Sequence, residues 1–177
     1  GTKALSRLSG GAWKEGMPSP QPLANVSRAS RSQGDKVVYF PTCAGRMFGA
    51  DSPEQAASAT VIRVLERAGY APIVPAGVNE LCCGQSFASK GLADDADRKS
   101  AQLEAALLKA SDNGKYPIVL DASACSLRMK TFLAGRLPVF DLVEFAHDAL
   151  LPRLMLAKKS DPVLIHLNCS ARRMGFE

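Results

Sequence analysis

Five short apolar runs, separated by stretches of helical period, limit what this chain can fold into. The runs are Lys36-Val-Val-Tyr-Phe40, Ala71-Pro-Ile-Val-Pro75, Tyr116-Pro-Ile-Val-Leu-Asp121, Leu137-Pro-Val-Phe140 and Pro162-Val-Leu-Ile-His-Leu167. Each is rich in β-branched or aromatic residues and bounded by turn formers, so each reads as a strand. Between them lie helical patterns. One opens at Asp51-Ser52-Pro53-Glu54, with a capping side chain before a first-turn proline, and ends at Gly69. Its apolar face is Ala57, Val61, Val64, Leu65 and Ala68. A second spans 89–112 with Leu92, Ala96, Leu103, Ala106, Leu107 and Ala110 inward, and stops at Asn113-Gly114. Shorter ones cover 124–133 and 142–150. Strands that are apolar throughout, alternating with amphipathic helices, imply a parallel sheet covered on both faces. Right-handed crossovers then predict an α/β fold: a doubly wound, mainly parallel sheet in a Rossmann- or flavodoxin-like layer sandwich.

The chain of 177 residues suffices for one domain with a proper core. Residues 1–34 are rich in Gly, Ser and Pro, with Pro18, Pro20 and Pro22 alternating, and read as a linker that docks through Leu5, Leu8 and Trp13. The compact domain is expected over 35–160. No apolar run approaches the roughly 20 residues of a membrane span, and the N-terminus has no signal-peptide pattern. Both ends look like cuts in a longer protein.

Net charge is +5, but it sits in the flanks. Residues 1–34 carry five Lys/Arg against one Glu, and 152–177 carry five against two acids, which leaves 35–151 slightly acidic. Nucleic-acid binding wants a basic stripe interleaved with aromatics on the folded part; the expectation is no nucleic-acid partner. Solvated flanks, or flanks facing partner domains or acidic phospholipid heads, fit better.

The five cysteines are Cys43, Cys82, Cys83, Cys125 and Cys169. An odd number, an adjacent pair and no secretory signal argue against a disulfide framework and for metal or redox chemistry. On the predicted topology every cysteine falls at the carboxyl end of a strand, where a parallel sheet forms its ligand sites. The helices that follow point their N-termini at that rim, which favours thiolates. Four thiolates there suffice for an iron–sulfur cluster or a zinc ion. Buried small apolar packing is the alternative for any one of them. Gly84, directly after the doublet, permits close backbone approach to a bound group or a positive φ. His147 fits no metal spacing, and His166 reads as a buried strand histidine. Arg46, Lys90, Arg172 and Arg173 could meet an anionic partner, but read more simply as solvated charge. Gly45-x-x-x-Gly49 lacks the Lys-Ser/Thr ending of a phosphate loop.

With these residues in view, the chain resembles the cysteine-rich CCG domain family. Its pattern is a Cys, a spacer of thirty-odd residues, Cys-Cys-Gly, a similar spacer, and Cys-x-x-Cys. Here 38 residues separate Cys43 from Cys82-Cys83-Gly84, and 41 separate Cys83 from Cys125. The string from Cys82 to Gly91 is similar to that of FAD-linked D-lactate dehydrogenases with fused iron–sulfur domains. The iron–sulfur component of glycolate oxidase and a component of heterodisulfide reductase carry relatives. The domain often occurs twice, and His166 to Gly175 looks like the opening of a second copy, assigned to 161–177. The resemblance implies Cys43, Cys82, Cys83, Cys125 and Cys169 as metal ligands and Gly84 as a cofactor-binding glycine. It also implies an upstream FAD domain and ferredoxin-like domain in a parent protein. Electrons would pass from flavin to an iron–sulfur cluster and on to a quinone or other acceptor. The location implied is cytoplasmic, with peripheral contact at the inner membrane face. One position departs from the pattern: the first Cys of the final pair is Ala122. That leaves a simpler cluster, a shared cluster, a structural zinc site or a degenerate interaction domain as alternatives.

Overall fold

The structure is a computed structural model that describes residues 33–47, 56–157 and 160–176. The linker expected over 1–34, its docking residues, and the helix start at Asp51 to Glu54 lie outside the described residues, apart from 33–34.

Among the described residues, four strands form one all-parallel sheet: β1 (Asp35–Phe40), β2 (Tyr70–Ile73), β3 (Ile118–Leu120) and β4 (Val139–Asp141), in the order β2-β1-β3-β4. Seven α-helices accompany them there: α1 (Cys43–Met47), α2 (Ala57–Arg67), α3 (Gln85–Ala88), α4 (Ala93–Ala110), α5 (Ser123–Leu133), α6 (Leu142–Phe145) and α7 (Cys169–Arg173). The doubly wound α/β fold read from the sequence is the fold of the protein.

Alternation along β1 explains the two-sided cover. Val38 and Phe40, with Ile118 and Leu120 of β3, pack against Leu103 and Leu107 of α4 and Met129 and Leu133 of α5. Val37 and Tyr39, with Val119, face the other way onto Leu65 of α2, its C-cap Ala68, and Phe145 of α6. Residues of period two thus feed two cores, and β1 and β3 must be apolar along their whole buried length. The chain steps from β1 outward to β2, then crosses back over β1 to β3. The crevice between the carboxyl ends of β1 and β3 is therefore the topological switch point, where sheets of this class bind ligands.

Two sequence expectations are corrected. The helix expected over 89–112 begins late, as α4 at Ala93: Ser89 to Gly91 form a turn, with Gly91 at φ 77°, that parts it from α3. A left-handed residue cannot continue an α-helix, so the chain changes direction there; Leu92, expected inward, is 48% exposed. The run 162–167 is not a strand. It pairs with none of the four strands, and Val163, Leu164 and Ile165 are 80%, 97% and 76% exposed. Strand propensity alone does not make a strand: the backbone needs a neighbouring ladder to receive its N–H and C=O groups. His166 lies in this run and is exposed, not buried.

Candidate metal centre

Three crossover loops deliver four cysteines to the switch-point rim. Cys43 follows β1 and opens α1; Cys82 and Cys83 follow β2 after a single 3-10 turn (Val78–Glu80); Cys125 is the third residue of α5, just beyond β3. Cys83 and Cys125 are buried and form the rim end of the core beneath α4 and α5, whereas Cys43 and Cys82 are half-buried.

The four thiols interact. The Cys125 thiol acts on the charge state of both Cys43 and Cys83, and Cys43 also acts on Cys82. The Cys43 thiol is lowered to about 6, first by the Cys125 hydrogen bond, then by the Arg46 cation and the Ala44 amide, against the opposing effect of burial. Cys83 is lowered by Cys125 and, against burial, by the amide of Gln85. Cys125, the donor to both, is raised far above the ordinary thiol value. Burial raises Cys82, with the Gly84 amide opposing it; that N–H donates to Cys82 Sγ at 3.4 Å. The rim thus favours negative sulfur at Cys43 and Cys83, and backbone amides at 44, 84 and 85 face the sulfurs.

In the metal-free protein the Cys43 alkylation rate with iodoacetamide is expected to rise through about pH 6 and level off above it, because the thiolate is the nucleophile. Cys82, half-buried like Cys43 but raised, should keep gaining rate into the alkaline range. Mass spectrometry of the alkylated peptides reads both. A Cys43 rate still climbing steeply above neutral pH would contradict the assigned charge state.

Gly84 has a local reason to be glycine. Its φ is 84°, and a Cβ there would lie 2.3 Å from the Ala96 carbonyl oxygen of α4. The doublet loop is thus pressed onto the α4 backbone, and the Ser100 hydroxyl lies 2.8 Å from the Cys83 carbonyl. The positive φ expected of this glycine is present, and its backbone lies close against α4.

Two further residues shape the rim without being legible as site residues. Asp121, directly after β3, accepts the Tyr39 hydroxyl at 2.7 Å and the Thr42 N–H at 2.9 Å. It holds the turn that presents Cys43, and Gly45 leaves room for it, since a Cβ at 45 would sit 3.0 Å from Asp121 Oδ2. Burial, then the Asp121 charge and hydrogen bond, push the Tyr39 phenol up beyond its ordinary value. Arg46, taken from the sequence as solvated charge, is part-buried instead and donates to the carbonyls of Val78 at 2.6 Å and Leu81 at 2.9 Å. An acidic residue closing an apolar strand at a switch point, and a basic residue one turn past a rim cysteine, are the signals that could have marked them.

Cys169 stands apart. With the run before it not a strand, it opens α7, which packs against α5; it is exposed and takes no part in the sulfur interactions. Ala122, where the family pattern has a cysteine, is the extended N-cap of α5 and packs against the core. His147 is exposed beside Asp148, and so is Lys90.

The family model for the cysteine-rich domain, CCG, matches residues 37–130, just over half of the chain. The chain belongs to the CCG cysteine-rich domain family. No curated protein and no solved structure matches it. The matched span of this CCG domain runs from β1 into α5 and contains all four interacting cysteines. Membership points to an iron–sulfur or other redox-related role.

The donor set agrees with an iron–sulfur group: four thiols, two held towards the thiolate form, with amides directed at sulfur and no carboxylate among the sulfur partners. Among the described residues no group of three or more His, Cys, Asp or Glu is arranged to hold a metal ion. No helix among the described residues is long and apolar enough to cross a membrane.

Proposed function

We propose that this CCG domain is the iron–sulfur electron-transfer segment of a flavin-linked 2-hydroxy-acid dehydrogenase, of the D-lactate dehydrogenase or glycolate oxidase kind. The observation that carries the reading is the gathering of Cys43, Cys82, Cys83 and Cys125 from three loops into one interacting set at the switch point. Cys43, Cys82, Cys83 and Cys125 would hold the cluster, and Cys169, on the neighbouring α7, would be a ligand only to a group shared with another domain. When bound, such a cluster supplies a one-electron relay between flavin and an acceptor such as a quinone.

The chain's own residues support that role in definable ways. Cys83 and Cys125 form a dry inner wall, and Cys43 and Cys82 form the side nearer solvent, where a partner could approach. Amides at 44, 84 and 85 stabilise negative sulfur without adding protons of their own. Asp121 and the Ser100–Cys83 contact hold two of the three loops in place. FAD and the ferredoxin-like domain belong, in this proposal, to other parts of the parent protein, as does any contact with the inner membrane face.

Ala122 favours a second reading, a degenerate site retained as an interaction domain. Iron and acid-labile sulfide analysis after oxygen-free reconstitution separates the two. The chain is expected to turn brown and bind one cluster's iron and sulfide, and a Cys82→Ser/Cys83→Ser variant to bind none. Equal, negligible uptake by both in the intact parent protein sinks the electron-transfer proposal and leaves the interaction domain.

A further inference from the structure

Arg46 lies one helical turn past Cys43 and reaches a different loop. Its Nη1 donates to the Val78 carbonyl at 2.6 Å and its Nη2 to the Leu81 carbonyl at 2.9 Å. Val78 O also accepts the Leu81 N–H at 3.3 Å, so the two carbonyls bracket the 3-10 turn immediately before Cys82. The guanidinium sits 5.9 Å from the centroid of the buried Phe40 ring, its Nε is buried without a hydrogen-bond partner, and none of the ion pairs among the described residues includes it. A part-buried arginine spends desolvation energy, and two neutral carbonyls leave its charge uncompensated. Anionic sulfur is the compensation on offer nearby: Arg46 shares α1 with Cys43, one turn away.

We infer that Arg46 is a positioning residue of the sulfur rim, which locks the Cys43 loop to the Cys82–Cys83 loop and supplies a fixed positive charge to the anionic group held there. The locking half stands on geometry alone; the charge half rests on the iron–sulfur proposal. Its fork matters for the lock, since one planar side chain must reach two carbonyls at a set spacing, and lysine cannot do so. Its charge matters for the bound group, since a nearby cation favours the more negative, reduced state.

Arg46→Lys and Arg46→Gln in the full 177-residue chain separate the two halves. Amide hydrogen exchange on the metal-free protein reads the lock: residues 78–84 should exchange at least about tenfold faster in both variants, with α4 unchanged. Unchanged exchange at 78–84 in Arg46→Lys overturns the lock. If Arg46→Gln loses protection throughout, Arg46→Lys alone decides. The midpoint potential of the reconstituted cluster reads the charge. Arg46→Gln should fall by a tenfold change in the reduced-to-oxidised ratio, about 59 mV for one electron, while Arg46→Lys stays near wild type. One shared potential in all three proteins overturns the charge role. Failure of the wild-type chain to take up iron and sulfide overturns the iron–sulfur proposal and the charge half together, and the exchange result still decides the lock.

Discussion

Gly84→Ala should cost this domain about 3 kcal/mol or more, a large share of the roughly 5–15 kcal/mol by which domains are stable. Two penalties combine. The residue has φ 84°, a left-handed conformation that costs a side-chain-bearing residue about 1–2 kcal/mol. The added Cβ would also lie 2.3 Å from the Ala96 oxygen and 3.0 Å from its carbonyl carbon. Both are main-chain atoms of an 18-residue helix, so no rotamer change relieves the contact. Forcing extra volume into packed structure costs about 1–3 kcal/mol. The doublet loop must lift from α4, which breaks the Ser100–Cys83 contact and moves two of the four sulfurs. Urea unfolding curves of variant and wild type measure the cost. A midpoint unchanged within error would mean that the loop is not wedged against α4.

Asp121→Ala is the second large effect, expected at about 2–4 kcal/mol. It strips the acceptor from the fully buried Tyr39 hydroxyl and from the Thr42 N–H. A buried polar group left unsatisfied costs about 1–3 kcal/mol, and Thr42 Oγ1 is already without a partner. Asp121→Asn keeps one acceptor oxygen and two donors on the same frame, so it should recover most of the loss. The same urea curves test the order Asp, Asn, Ala. Equal losses for Asn and Ala would show that the negative charge, not the hydrogen-bond geometry, holds the Cys43 turn.

How far the sequence could be read depended on how local each determinant is. β1 to β4 were legible because each is an apolar run closed by turn formers, and both faces of β1 are covered. The convergence of Cys43, Cys82, Cys83 and Cys125 was legible because a parallel sheet puts all its carboxyl ends on one edge. The run 162–167 carries the same local signature as β1 and yet forms no strand, since strandhood is a property of the pair. The late start of α4 was masked because Ser89 to Leu92 continue the helical pattern of the residues after them. The contacts of Arg46 and Asp121 were not legible because their partners lie far along the chain: Val78 and Leu81 for one, Tyr39 and Thr42 for the other. A single charged letter does not announce which distant carbonyl or hydroxyl it will meet.

The pairing of β1 with β3, in which Val38 lies beside Ile118, bears on the order of events in biogenesis. That registration closes a loop containing α2, β2 and α4, and loop-closure entropy makes such distant contacts slow to form. Cys43 and Cys125 belong to the two ends of this loop, and Cys82 and Cys83 to its interior. The thiols therefore meet only after the central strands have aligned. A newly made chain carries Cys43, the Cys82–Cys83 doublet and Cys125 apart, and a group held by all four would enter only after the sheet has folded.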